Sequence, residues 1–256
     1  MGLYRVRSCV PEVVVVALVG TLTALATGLG AVPVFLLGAR IADFRPFLWG
    51  LTIGLMSVAS VVGLVLPALD EDEPAAVVAG IAVGVGFLLL ARHWLGMHEL
   101  SPTRLRSAGG RRALLVFLVL FVHSLPEGFA IGTAWASNRE GLGLFVFFAI
   151  ALQNIPEGTS VAIPMAAENF RAREQFWAAV GTSAPQPFGA VLAFLLVDEI
   201  TGLLPFSFGF AAGAMLALVV VELVPQALLS RGYAAACGGA ALGAGLMLAL
   251  ARLLAV

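Results

Sequence analysis

The sequence predicts an all-α membrane protein with eight transmembrane helices. Of its 256 residues, 61% are hydrophobic and only 11% are charged, whereas a soluble domain carries about 25% charged residues. Such a composition cannot cover a surface that faces water, so the soluble enzyme classes are excluded. Two cysteines are too few for a disulfide scaffold, and a net charge of −1 does not indicate a nucleic-acid partner. The lipid bilayer is the partner that the composition predicts.

A membrane-spanning helix needs about 20 mostly apolar residues. Arg5 and Arg7 precede the first apolar run as they would in a signal peptide, but this run is too long for one and we interpret it as a true span. The runs fill the chain, which predicts a single transmembrane domain over residues 1–256 with a loop at 96–111. Numbered as spans 1 to 8, they are expected at about 12–38, 46–69, 74–95, 112–136, 142–167, 173–197, 202–229 and 231–255.

The arginines are divided unequally between the two sets of loops. The chain has no lysine, and the termini with the loops on their side of the membrane hold four of its fourteen arginines. The other loops hold ten. Because basic loop residues favour the cytoplasm, we expect both termini outside a plasma or inner membrane and the 96–111 loop in the cytoplasm. Arg5 and Arg7 favour the opposite orientation.

Polar residues recur deep inside spans 4 and 5. The segment HSLPEG at 123–128 is followed thirty residues later by QNIPEG at 153–158. His123 and Glu127 are four residues apart, as are Gln153 and Glu157, so each pair shares one helical face. A proline directly before each glutamate predicts that both helices are kinked. Asn154 lies at the same depth.

A third acid, Glu222, is predicted inside span 7. A charged side chain at the bilayer centre costs about 2.5–3.5 kcal/mol. Every arginine maps to a loop or a span end, so none is expected to neutralise the buried acids. A divalent cation or protons would supply the positive charge. Imidazole, carboxylate and amide ligands suit Zn²⁺, Fe²⁺, Mn²⁺ or Cd²⁺.

A second repeat joins spans 2 and 7. The segment GLTIGLMSVASVVGL at 50–64 matches GFAAGAMLALVVVEL at 209–223, with Gly63 at the position of Glu222. The shared glycines are expected to let helices approach closely. Internal repeats are typical of secondary transporters, whose sites lie at the repeat interface.

The sequence resembles the ZIP (Zrt-, Irt-like protein) family of divalent-metal transporters, in its GufA-like bacterial and archaeal branch. The resemblance is carried by HSLPEG at 123–128, QNIPEG at 153–158 and GFAAGAMLALVVVELVP at 209–225, and it covers nearly the whole chain. It implies a ZIP-type fold with pseudo-symmetric outer halves, often as a homodimer. Spans 1, 4, 5 and 6 would then move against spans 2, 3, 7 and 8.

The resemblance also implies a set of metal ligands. His123, Glu127, Gln153 and Glu157 correspond to the principal site of the family, and Glu222 to an acid near its pathway. Two positions depart from members that bind two metals, because Ser124 and Gln186 stand where those members often carry Asn and Glu. We therefore expect one tightly bound metal and a weak or empty second site. The candidate metal residues are His123, Ser124, Glu127, Gln153, Asn154, Glu157, Gln186 and Glu222.

These observations predict a transporter, not an enzyme, that imports Zn²⁺ or a related ion into the cytoplasm by alternating access. The metal would be its substrate, and no cofactor is expected. One alternative is a proton or monovalent-cation transporter that uses the same acids. Another is an intramembrane metal hydrolase. A single mid-membrane histidine and the lack of a His-Glu-x-x-His motif count against the hydrolase.

Overall fold

The computed structural model describes residues 11–97, 108–229 and 232–256. These residues form helices and no strand. Eight of the helices are long and apolar enough to cross a membrane, so the predicted all-α fold class is confirmed. The spans are Glu12–Leu37, Arg40–Leu69, Pro74–Trp94, Val116–Ala136, Leu142–Ala167, Ala172–Glu199, Leu204–Leu229 and Tyr233–Leu253.

The bounds agree with the predicted runs except near a few ends. Span 2 begins at Arg40 instead of residue 46, because a 3₁₀ turn at Gly38–Phe44 leads directly into its helix. The helices on either side of the predicted 96–111 loop extend to Met97 and begin at Ala108. Residues 98–107 of that loop, and the predicted start of span 8 at 231, lie outside the described residues.

Two kinds of interruption, breaks and π-helical turns, divide four of the spans. Span 1 breaks at Gly30, span 6 breaks between Thr182 and Pro185, and spans 2 and 7 each contain a π-helical turn. Spans 4 and 5 run as uninterrupted helices through Pro126 and Pro156. In order, the α-helical segments are Glu12–Leu29, Ala31–Leu37, Arg45–Ser60, Leu66–Leu69, Pro74–Met97, Ala108–Ala136, Leu142–Ala167, Ala172–Thr182, Pro185–Glu199, Leu204–Leu218, Val224–Leu229 and Tyr233–Leu253.

The glycines of the second repeat hold two outer helix pairs together. A Cβ on Gly50 of span 2 would lie 1.9 Å from the carbonyl oxygen of Ala236 in span 8. The matching Gly209 of span 7 would meet the carbonyl of Val77 in span 3 at 2.4 Å. Only hydrogen fits at either position, which confirms that these glycines allow close helix approach.

The π-helical turns fall at nearly equivalent places in the two repeats. One covers Val61–Val65 in span 2 and the other Val219–Leu223 in span 7. Gly63 and Glu222, which the repeat aligns, both lie in these turns. A π-helical turn inserts one residue into an α-helix and is often found at functional sites, so the repeat extends from sequence to backbone conformation.

Spans 1, 4, 5 and 6 pack equally closely through small residues. A Cβ on Gly158 of span 5 would lie 1.8 Å from the carbonyl oxygen of Thr27 in span 1. A Cβ on Gly128 of span 4 would lie 2.3 Å from the carbonyl of Gln186 in span 6. Both glycines follow the glutamate of a PEG motif, so the backbone contacts that they permit fix the height and rotation of Glu127 and Glu157.

Candidate metal centre

The two PEG motifs bring an imidazole and two carboxylates together between spans 4 and 5. Ligand atoms of His123, Glu127 and Glu157 all lie within 4.8 Å of one another, and all three side chains are buried. Nε2 of His123 lies 3.5 Å from Oε1 of Glu127. Gln153 completes this group, since its amide nitrogen donates a hydrogen bond of 2.6 Å to the same carboxylate oxygen.

Several polar atoms of this cluster have no hydrogen-bond partner. They are both ring nitrogens of His123, Oε1 of Gln153 and Oε1 of Glu157. Buried polar atoms are nearly always paired, and each exception in a native structure calls for an explanation. A bound cation would give a partner to the amide oxygen of Gln153, to the carboxylate oxygen of Glu157 and to one ring nitrogen of His123. Zinc ligands at about 2.0–2.2 Å are about 3.4 Å apart in a tetrahedron, so the cluster is close to the size that an ion requires.

A neutral amide network lies next to the cluster, around Gln186 of span 6. The amide nitrogen of Gln186 donates to Oε2 of Glu127 at 2.5 Å and to Oδ1 of Asn154 at 3.3 Å. Nδ2 of Asn154 donates in return to Oε1 of Gln186 at 3.1 Å and to the carbonyl of Thr23 at 2.7 Å. The oxygen of Asn154 therefore faces Gln186, whereas Gln153 retains an oxygen without a partner.

Ser124 is buried but directs its hydroxyl to its own helix. The hydroxyl donates a hydrogen bond of 2.9 Å to the carbonyl of Leu120, one turn earlier in span 4. The side chain is 2% exposed. Its hydrogen-bonding capacity is used locally, as is common for serine inside a helix.

Glu222 lies apart from the three-residue cluster and pairs with an arginine. Its Oε2 lies 3.3 Å from Nη2 of Arg92 in span 3, and its Oε1 accepts a hydrogen bond of 2.9 Å from Gln226. The expectation that no arginine neutralises the buried acids is therefore wrong for Glu222. Arg92 occupies the last turns of span 3, and its long side chain reaches along span 7. Among the described residues, neither Glu127 nor Glu157 forms an ion pair with an arginine.

A cavity of about 690 Å³ connects these two places. Glu157 and Glu222 both line it, and its other walls come from the first parts of spans 2 and 4 and the last parts of spans 5 and 7, with Arg45 of span 2 among the lining residues. Those parts lie at the same end of the bundle. The cluster of His123, Glu127 and Glu157 therefore meets the cavity through Glu157, which is 5% exposed, whereas His123 and Glu127 are fully buried.

Arg92 is the residue of this region that the sequence analysis missed. The ten loop arginines include Arg92, although the predicted third run, 74–95, contains it. An arginine one turn inside a span end can extend its side chain along the helix surface while its head group seeks a polar partner. The position of Arg92 just inside the end of span 3 was therefore the feature of the sequence that indicated a polar partner. The partner could not be read from the sequence, because it depends on how spans 3 and 7 pack.

Eight apolar helices around a buried cluster of acids and imidazole define a multi-pass membrane protein with a polar site inside its bundle. The profile of the family described as "ZIP Zinc transporter" matches residues 97–251. The chain belongs to this family, in its GufA-like branch. The family consists of transporters, not enzymes, and metal is their substrate rather than a cofactor.

Three relatives illustrate the similarity. The zinc transporter GufA of Myxococcus xanthus is 34% identical over 213 residues, which cover 78% of this chain and 84% of GufA. The zinc transporter ZIPB of Bordetella bronchiseptica is 31% identical over 219 residues, 78% of this chain and 69% of ZIPB. A candidate zinc transporter of Arabidopsis thaliana is 36% identical over 214 residues, 83% of this chain, but the match spans only 34% of the plant protein.

Proposed function

We propose that this protein carries divalent metal ions across the membrane, with Zn²⁺ as its main substrate and Cd²⁺, Fe²⁺ and Mn²⁺ as further candidates. The observation that carries the proposal is the set of polar atoms without partners in the His123, Glu127 and Glu157 cluster. Two buried carboxylates without an arginine need positive charge. A dication supplies it and also gives the imidazole and the Gln153 oxygen a partner.

Each cluster residue has a distinct role in this proposal. His123 binds the ion through one ring nitrogen, and Glu127 and Glu157 bind it through carboxylate oxygens. Gln153 contributes its unpartnered amide oxygen and, through its amide nitrogen, fixes the orientation of Glu127. Two anionic ligands then match the charge of one dication. This nitrogen and oxygen donor set suits Zn²⁺ and disfavours Cu⁺, which prefers sulfur.

The amide network supports transport of one ion at a time. A second dication next to Glu127 would need an anionic ligand from span 6, since ligand charge helps to set affinity for a hard cation. Gln186 is neutral, and its amide nitrogen already donates to Oε2 of Glu127. Asn154 and Ser124 have similarly committed hydrogen bonds. We therefore place these three residues beside the ion rather than among its ligands.

The proposed mechanism is alternating access with import into the cytoplasm. The cavity reaches Glu157 from the end of the bundle that holds the beginnings of spans 2 and 4. The loops at this end are the arginine-rich set, so the positive-inside rule makes it the cytoplasmic end. On this assignment the structure is open to the cytoplasm. The termini then lie outside a plasma or inner membrane, and residues 96–111 lie in the cytoplasm.

The family resemblance further supports a homodimer, which sedimentation or native mass spectrometry of the detergent-solubilised protein would detect. A single species with the mass of one chain, under conditions that preserve bound lipid, would contradict it.

The test is zinc uptake into proteoliposomes that contain a fluorescent zinc indicator. Glu157→Gln keeps the shape of the side chain but removes one anionic ligand, so we expect at least a tenfold loss of uptake, about 1.4 kcal/mol or more. The matched control is Glu140→Gln, the same change in an exposed loop residue. Uptake by the Glu157 variant equal to that of the control would reject the assignment.

The same liposomes separate the alternative functions. Competition among Zn²⁺, Cd²⁺, Fe²⁺, Mn²⁺ and Co²⁺ ranks the substrates. Proton or monovalent-cation flux without any divalent transport, and without thermal stabilisation by a divalent metal, would favour the proton or monovalent-cation transporter instead.

A further inference from the structure

Arg92 is held against span 7 by two contacts to adjacent residues. Nη1 donates a hydrogen bond of 3.0 Å to the carbonyl oxygen of Val221, and Nη2 lies 3.3 Å from the carboxylate of Glu222. Val221 and Glu222 both belong to the π-helical turn Val219–Leu223. A guanidinium group is planar and always charged, with donors in a fixed fork. Contacts to a carbonyl and to a carboxylate therefore fix the place of its positive charge.

Both oxygens of Glu222 are engaged in this arrangement. Gln226 donates to Oε1 from one turn later in span 7, and Arg92 faces Oε2. The Glu222 side chain is 27% exposed, and it lines the cavity that also reaches Glu157. An ion that leaves the metal centre through this cavity passes a carboxylate whose charge is already matched.

A carboxylate without a counter-charge would behave differently at this place. The cavity is bounded largely by apolar side chains, and charges attract more strongly where water is restricted. A second dication would bind there, on the route between the metal centre and the aqueous phase. Because every ion must leave its last site, a tight site on this route slows transport.

We propose that Arg92 is a built-in counter-charge that prevents Glu222 from becoming a second metal-binding site in the cavity. The inference rests on the proposed transport of a dication. Arg92 acts through Glu222 and does not itself contact the ion, so it is a positioning residue. Its position in span 3 means that two neighbouring helices, spans 3 and 7, cooperate in keeping the route free of a trapped ion.

The experiment counts bound zinc by equilibrium dialysis of the purified, detergent-solubilised protein. We expect Arg92→Gln to bind one more tightly held zinc ion than the wild type. Its maximal rate of zinc uptake in proteoliposomes should fall by about tenfold, the change that accompanies about 1.4 kcal/mol of extra stabilisation of a trapped ion. The double variant Arg92→Gln/Glu222→Gln should lose the additional ion, because the carboxylate that holds it is gone.

Two further variants complete the design. Arg252→Gln removes an arginine from the end of span 8, outside the cavity, and should leave both the zinc count and the uptake rate unchanged. The exchanged pair Arg92→Glu/Glu222→Arg keeps opposite charges face to face and should bind no additional zinc. Size-exclusion profiles identify any variant that does not fold. Where Arg92→Gln itself does not fold, the exchanged pair and Arg92→Lys take its place, and additional zinc bound by either would contradict the inference.

The outcomes separate this inference from the proposed function. An Arg92→Gln protein with the zinc count and uptake rate of the wild type overturns the role of Arg92 and leaves the metal centre untouched. A wild-type protein that binds and transports no divalent ion overturns the proposed function itself.

Discussion

The side-chain amide of Gln186 donates a hydrogen bond of 2.5 Å to Oε2 of Glu127, which links span 6 to span 4 beside the cluster of His123, Glu127 and Glu157. The other oxygen of Glu127 accepts a hydrogen bond from Gln153. Glu127 is thus held from two sides by neutral donors. A fixed carboxylate loses little conformational freedom when it binds an ion, which favours binding.

The first prediction concerns the charge at Gln186. In Gln186→Glu, a carboxylate replaces the amide that now donates to Glu127, so two acids face each other and a cation between them is favoured. We expect the apoprotein to melt at a lower temperature and zinc to raise its melting temperature more than in the wild type. Equilibrium dialysis should detect a second bound ion.

Gln186→Met is the matched control, because it removes the same hydrogen bonds without adding charge. Equal zinc counts in the Glu and Met variants would contradict the interpretation that charge at position 186 limits the protein to one ion.

The second prediction concerns Ser124, whose hydroxyl bonds to Leu120 in its own helix. Ser124→Ala should change the Kd for zinc by no more than about twofold, since the lost hydrogen bond is local to span 4. Isothermal titration with zinc measures the Kd directly. A tenfold weaker Kd would instead identify Ser124 as a ligand.

The third prediction concerns the close packing at Gly158. In Gly158→Ala, the new methyl carbon would lie 1.8 Å from the carbonyl oxygen of Thr27, so spans 1 and 5 must separate. Overpacking of this kind costs about 1–3 kcal/mol, and it displaces the adjacent Glu157. We expect a lower melting temperature and a large loss of zinc uptake.

Gly86→Ala provides the comparison, because a Cβ at Gly86 has no neighbouring atom within 4 Å. It should alter stability by less than about 1 kcal/mol and leave uptake intact. Equal losses in both variants would contradict the packing argument.

The fourth prediction concerns Arg139, in the loop between spans 4 and 5. It pairs with Asp70 at 2.9 Å and with Glu71 at 2.7 Å, in the loop between spans 2 and 3. Partial burial lowers the pKa of Arg139, but hydrogen bonds with Asp70 and Glu71 outweigh it and raise the pKa above its ordinary value. The pairing therefore survives a rise in pH through the neutral and mildly alkaline range.

These ion pairs join two loops at the end of the bundle opposite the cavity, so Arg139→Gln should make that end open more often. Exposed pairs contribute about 0–1 kcal/mol each, so the loss of both pairs limits the change to about thirtyfold. The measurement is the rate at which a thiol reagent modifies a cysteine placed at the buried Ala134, in a protein without its native cysteines. Asp72→Asn, which removes a nearby acid that does not contact Arg139, should leave this rate unchanged. Equal rates in the two variants would contradict a closing role.

The spans and the proximity of His123 to the two PEG glutamates could be predicted because simple periodicities determine them. About 20 apolar residues suffice to identify a span, and spacing of four residues places His123 with Glu127 on one helix face. The partners of Glu222 and Asn154 could not be predicted in the same way. Their hydrogen bonds reach across to Arg92 and Gln186, on other helices, and depend on the rotation of each helix in the bundle.

The start of span 2 differs from the predicted residue 46 for a local reason. Arg40 and Asp43 look like loop residues in the sequence, but a 3₁₀ turn joins them to the helix that follows. A charged residue therefore did not mark the end of helical structure.

The ring of Phe145 occupies the place where a side chain at position 63 would have to go, since a Cβ there would lie 2.8 Å from Cε1 of the ring. The repeat-related position in span 7 has room for Glu222. The two halves of the scaffold therefore share a backbone but differ in electrostatics, since span 7 carries an acid where span 2 carries a glycine. Neither half therefore presents an unpaired acid to the cavity, because span 7 sets Glu222 against Arg92 of span 3 and span 2 lines the cavity with Arg45 but with no carboxylate.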